Sequence, residues 1–264
     1  MDYNTIISDK SCVEWAKYRP LDTDYLKYAE TDPSVIAAAF KIEDVSYALS
    51  DARAAILFSH EKNYGDMSDG SELTNQYIKT FLLTNAVKSY AIALDMSWQV
   101  VWAYIQPASL KYLFNNEYKK MEKECDRDNL LSQLDCIISQ GAPGFTEAER
   151  IKKVVRDFDN DEDVLKLRSL YNKIKHQGTI HFEGLGLNEE TMMFSINGYA
   201  PKMLNRDSYS IQDIEELLVR YHTKFVNYFE KIVSIVIPDG YMDKKMDFSD
   251  AIVSLANIKD RMDS

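Results

Sequence analysis

The chain is poor in the residues that interrupt regular structure, with only 9 glycines and 6 prolines in 264 residues. That scarcity excludes collagen-like and Pro/Gly-rich low-complexity classes and leaves room for long helices. Cysteine is scarcer still. Cys12, Cys125 and Cys136 are an odd number without a CxxC pair, a pattern that speaks against a disulfide framework or a zinc knuckle and for reduced thiols. Runs of about 20 uninterrupted apolar residues, the length needed to span a bilayer, are also missing. The most apolar stretch, 89–105, is broken by Asp95, Ser97 and Gln99, and the Met-Asp-Tyr-Asn start has neither the basic region nor the apolar run of a signal peptide. A cytoplasmic protein with no membrane partner is the expectation. Positive charge is in deficit: 31 basic against 42 acidic side chains give a net charge of -11. The resulting field repels phosphate backbones and disfavours broad, sequence-independent duplex binding, while leaving room for a local basic pocket.

What the chain has in quantity is apolar and helix-forming residues, 45% of it hydrophobic. This predicts an all-α, mainly helical fold large enough to bury a substantial core. Residues 1–32 show no clear period. Thr31-Asp32-Pro33 is a helix start, and apolar positions from Val35 to Leu57 then recur at three- and four-residue steps. Turn clusters at 63–66 and 68–70 precede a second long helix over 71–105, apolar around most of its circumference and so expected to be buried. Shorter helices are predicted at 108–124 and 128–139, with a loop at 140–144. Thr146-Glu147-Ala148-Glu149 has capping-box form and predicts a helix to 158; another follows over 161–177. Residues 179–205 change character, and Thr179–Phe182 and Met192–Ile196 suggest two short strands or an irregular flap. Ser210 is placed to cap an amphipathic helix to 237, and a last helix occupies 248–262. The organisation expected is an N-terminal extension, 1–32, a main helical domain, 33–237, and a C-terminal turn and helix, 238–264.

The chemically suggestive segment closes the 161–177 helix: Tyr171-Asn172-Lys173-Ile174-Lys175-His176-Gln177-Gly178. At 100° per residue, Arg168, Asn172, Lys175 and His176 share one stripe about 100° wide, while Leu167, Leu170, Tyr171 and Ile174 lie on the other side. One face packs and the other presents donors. Gly178 is a helix stop, and cations in a last turn are favoured by the helix dipole, which by itself is a sufficient structural account of Lys175 and His176.

Other patterns are weaker. The alternating acids of 157–163 lack the glycine and the final glutamate of a calcium loop and read as an acidic turn and helix cap. His176 and His181 lie five apart across a helix end, without a third ligand, so neither metal nor cofactor is implied. His60 and His222 read as surface or core histidines, and Trp98 and Trp102 as core rather than a base-stacking platform.

The run Asn-x-x-Lys-His-x-Gly at the end of a long helix in an all-helical chain resembles the motif helix of the HEPN superfamily. That family consists of four- or five-helix bundles, many of them metal-independent ribonucleases of prokaryotic defence and toxin–antitoxin systems. The resemblance implies a HEPN-like bundle over 33–237, and the strand-like insert near 179–205 and the added ends exceed a minimal domain of that kind. It also implies RNA or a nucleotide as ligand, no cofactor, a homodimer, and an antitoxin or nucleotidyltransferase partner. His176 matches the family histidine and Asn172 its polar residue. The family arginine is out of register. Tyr171 stands five before His176, and the nearest upstream arginine, Arg168, leaves seven residues between. By resemblance, His176, Arg168 and Asn172 form the catalytic set, with Lys175 and Tyr171 contacting substrate. The alternative is a catalytically inactive HEPN-like scaffold or protein-binding module.

Overall fold

In a computed structural model the described residues are 3–29, 31–106, 117–141, 143–185, 197, 207–243 and 245–263. They are mainly helical, as composition predicts. Three short helices, α1 (Asn4–Ser8), α2 (Ser11–Ala16) and α3 (Asp22–Tyr28), lead into two long ones, α4 (Pro33–Ser59) and α5 (Glu72–Ile105). After these come α6 (Glu117–Glu124), α7 (Arg127–Gln140), α8 (Phe145–Asp159) and α9 (Glu162–His176). A two-residue strand β1 (His181–Phe182) pairs in parallel with β2 (Ser208–Tyr209), then α10 (Ile211–Val236) and α11 (Phe248–Asp263) complete the order. Among the described residues no helix is long and apolar enough to cross a membrane.

Local signals explain most boundaries. Pro33 opens α4, its fixed φ suiting a first helical position. Asp126 caps α7 by accepting from the Asn129 N–H at 2.8 Å, and Gly141, at φ +57, ends it in the left-handed conformation. The Ser210 hydroxyl accepts from the Asp213 N–H at 3.0 Å, as its capping role predicts. The 146–149 capping box does not form. α8 begins one residue early, at Phe145, with Gly144 before it and no side-chain cap, so Thr146 already lies inside the first turn, where its hydroxyl is out of position. Of the two strands expected near 179–205, one lies at 181–182; the 192–196 segment and the 108–116 part of a predicted helix fall outside the described residues.

The chain forms two compact units that interleave along the sequence. The first comprises Met1–Ser8, Asp51–Ala91 and Glu162–Thr223. Its buried side chains include Leu83, Val87 and Tyr90 of α5, Val164, Leu167 and Leu170 of α9, and Leu218 and Tyr221 of α10. Tyr90 meets Tyr221 edge to face at 5.0 Å. The Tyr90 hydroxyl and His222 Nδ1 share a buried hydrogen bond of 2.9 Å, so His222 is a core residue. Within the same unit the Arg53 guanidinium donates to the Ile6 carbonyl at 2.8 Å, and Lys79 pairs with buried Glu215 at 2.7 Å.

The second unit comprises Asp9–Ser50, Ile92–Asp161 and Lys224–Ser264. Ile42, Val45, Val101, Leu130, Leu134, Ile151, Val155, Phe225 and Phe229 fill it. Phe158 stacks on Tyr228 at 4.2 Å, and Trp15 meets Phe229 edge-on at 4.7 Å. Trp98 and Trp102 are buried, and the Trp102 indole donates to the Met121 carbonyl at 3.0 Å. Both tryptophans are thus core. The cysteines are free thiols: Cys12 buried, Cys125 half-buried, Cys136 exposed.

Candidate functional site

α9 carries the suggestive segment as far as His176. Val164, Leu167 and Leu170 are buried, which turns the opposite side of the helix outward. Asn172, Lys175 and His176 are all exposed, whereas Arg168 and Tyr171 are half-buried. The last turn ends as the sequence predicts: Gly178, at φ +128, donates its N–H to the Lys173 carbonyl at 3.0 Å.

Two cation contacts fix this helix. Asp163, in its first turn, receives three N–H contacts from the Arg220 guanidinium at 3.1 to 3.3 Å. At the other end Lys173 is paired with Asp207 and donates to the Tyr209 hydroxyl at 2.7 Å, with its ammonium 5.1 Å from the Tyr209 ring centre. Asp207 and Tyr209 hold the Lys173 ammonium above the usual lysine range. Of the cations in the last turn, Lys173 is structural and Lys175 is not: no carboxylate among the described residues pairs with Lys175. Arg168 already has an interaction within the fold.

Arg168, Asn172 and His176 therefore share one helix face, but their separation is set by the helix. Eight steps from Arg168 to His176 span about 12 Å along the axis. The other histidines have their own neighbours. His60 stacks on Tyr3 at 4.0 Å, His222 is in the core, and His181 lines a cavity. Three of the acids at 157–163 pair with cations from elsewhere in the chain: Asp159 with Arg127, Asp161 with Lys224, Asp163 with Arg220. Among the described residues no group of three His, Cys, Asp or Glu side chains is arranged to hold a metal.

That cavity begins three residues beyond His176. It has a volume of 640 Å³ and lies between the first half of α5, from Leu73 to Lys88, and the segment Thr179–Leu185. None of Arg168, Asn172, Lys175 or His176 lines it. Leu73, Tyr77 and Phe81, successive at four-residue steps on α5, leave 64, 67 and 58% of their surfaces exposed along its wall. Lys88 is half-buried there. No family model matches the chain, and no match is found among curated proteins or solved structures.

Lys88, Tyr77 and Phe81 do carry a signal in the sequence, though a faint one. Lys88 is the sole charged residue between Lys79 and Asp95, and Leu73, Tyr77 and Phe81 repeat every fourth residue. A helix apolar all round hides which of its stripes is left uncovered.

Proposed function

We propose that this chain is a HEPN-like RNA- or nucleotide-binding protein that engages its ligand through the outer face of α9. One observation carries the reading: Asn172, Lys175 and His176 are exposed together on that face with no partner of their own among the described residues, while Lys173 is consumed by Asp207 and Tyr209. Lys175 supplies charge for a phosphate, and Asn172 a donor and an acceptor for a base edge or ribose. The chemistry within reach of His176 is metal-independent cleavage. The 2′-hydroxyl oxygen bonds to phosphorus as its proton passes to the imidazole, the bond from phosphorus to the 5′-oxygen breaks, and that oxygen takes a proton from water. Arg168 and Lys175 are the cations for the developing charge. A homodimer would present this face twice and double its basic groups, which partly offsets the acidic field; an antitoxin or nucleotidyltransferase is the proposed partner in a prokaryotic defence setting.

The second reading, a catalytically inactive scaffold that binds a protein, is favoured by Tyr171 in the arginine position and by an Arg168 already engaged in the fold. Fluorescence anisotropy of a labelled single-stranded RNA, run in chelator, separates the two. Binding that weakens in Lys175→Gln and His176→Ala supports the α9 reading, and cleavage lost in His176→Ala extends it to catalysis. RNA affinity indifferent to both substitutions would overturn it.

A further inference from the structure

The protein carries 42 acidic residues, yet among the described residues none lines the 640 Å³ cavity beside α5. The ionisable side chains among its described lining residues are Lys88, His181 and Tyr77. Lys88 is half-buried, and among the described residues it has neither an ion-pair partner nor a hydrogen-bond partner. A partly desolvated ammonium without a counter-charge is costly to hold, and an anion arriving at it gains more than it would at an exposed lysine. The rest of the described wall combines the apolar and aromatic side chains Leu73, Phe81, Ile180, Phe182 and Leu185 with four threonines. The Thr80 and Thr84 hydroxyls donate to carbonyls of their own helix at 2.9 and 2.8 Å, which leaves little competing polarity on that side.

We propose that this cavity binds a small planar anion, an aromatic body carrying phosphate, with Phe81 and Tyr77 as the stacking surface and Lys88 as the phosphate contact. Phe81 and Lys88 are seven residues apart, two turns and about 10 Å along α5. Cα–Cβ bonds on a helix tilt toward its N-terminus, so the stem of Lys88 starts in the direction of Phe81. The volume falls within the range of roughly 300 to 1,000 Å³ usual for small-ligand sites. The exposure of Tyr77 and Phe81 suits a flat ring that stacks on one face and leaves the other to water; an acyl chain needs apolar walls on every side. The ligand class overlaps that of the α9 reading, but the residues are different, and the two stand or fall separately.

Isothermal titration of the full chain with AMP, adenosine, inorganic phosphate and dodecanoate tests this, alongside Lys88→Met and Phe81→Ser, each checked for native helicity by circular dichroism. The expected result is saturable AMP binding, weaker adenosine and phosphate binding, and a loss of roughly tenfold in AMP affinity in Lys88→Met, the scale of one charge-assisted contact. AMP binding that is absent at millimolar concentration, or unchanged in both folded variants, overturns the proposal, as does dodecanoate binding in place of AMP. If the AMP titration is flat while RNA anisotropy still depends on Lys175 and His176, the cavity proposal fails and the α9 reading stands. If AMP binds and Lys88→Met abolishes it while RNA is ignored, the reverse holds.

Discussion

Replacing Arg220 by glutamine removes the fork that holds the start of α9 to α10. Asp163 is nearly out of water, its side chain 9% exposed, whereas Arg220 is 50% exposed. Truncating one partner of a fully buried ion pair costs about 3 to 5 kcal/mol, and a fully exposed pair contributes about 0 to 1. With one partner buried, the other half in water, and three N–H contacts at 3.1 to 3.3 Å lost, the cost should be about 2 kcal/mol. For a chain of this size that lowers the melting temperature by roughly 4 to 8 °C. Arg220→Lys, which keeps the charge but not the fork, should recover about half of the loss. Urea denaturation of wild type, Arg220→Gln, Asp163→Asn and the double variant gives the coupling energy, and hydrogen exchange at 162–166 locates it. A loss in Arg220→Gln below about 0.5 kcal/mol, the noise of an ordinary surface substitution, would refute the reasoning.

Alkaline pH should destabilise the protein. Burial, aided by nearby acids, raises the phenol of Tyr241 far above its ordinary value, and burial does the same for Tyr228; Tyr25, Tyr28, Tyr64 and Tyr104 shift the same way. The folded state keeps protons that the unfolded chain releases above about pH 10, so this stability is intact below that value and is lost as pH rises beyond it. A urea midpoint that stays level from neutral pH to about pH 11 would contradict this. Thiol labelling of the native protein should modify Cys136 quickly and Cys125 slowly, because burial and the charges of Asp126 and Asp95 push the Cys125 thiol up to about 12; equal rates would show the burial to be wrong. Gly178→Ala has room for its methyl group but not the backbone freedom that φ +128 requires, and should cost about 1 kcal/mol in a melting experiment. A neutral or stabilising result would mean that the end of α9 is not fixed by this residue.

Where a signal repeats, the sequence was readable. The apolar steps from Val35 to Leu57, Pro33 at the start of α4 and Ser210 at the start of α10 each act within a few residues, and each is found where local chemistry puts it. Single-turn helices have too few repeats to show a period, and so Ile6 and Trp15 entered the core from a stretch that read as featureless. Asp24 illustrates the same limit: fully buried, its carboxylate accepts from the Leu21 N–H at 2.8 Å and starts α3 without a conventional cap. On α9 the pattern separated packed from exposed residues but not free cations from engaged ones. Lys173 and Lys175 look alike in sequence, and only Asp207 and Tyr209, more than thirty residues later, distinguish them. The cavity was illegible for a related reason, since it depends on which stripe of α5 remains uncovered.

Lys88 also bears on how tightly the chain is folded. A half-buried charge with no counter-ion among the described residues weakens the native state, so Lys88→Met should raise the urea midpoint of the ligand-free protein while it removes the anion contact. Opposite signs for folding and for ligand would mark the residue as one retained at the expense of robustness. The same lysine then makes the protein's resistance to unfolding depend on ligand concentration, since an occupant of the cavity would supply the missing negative charge.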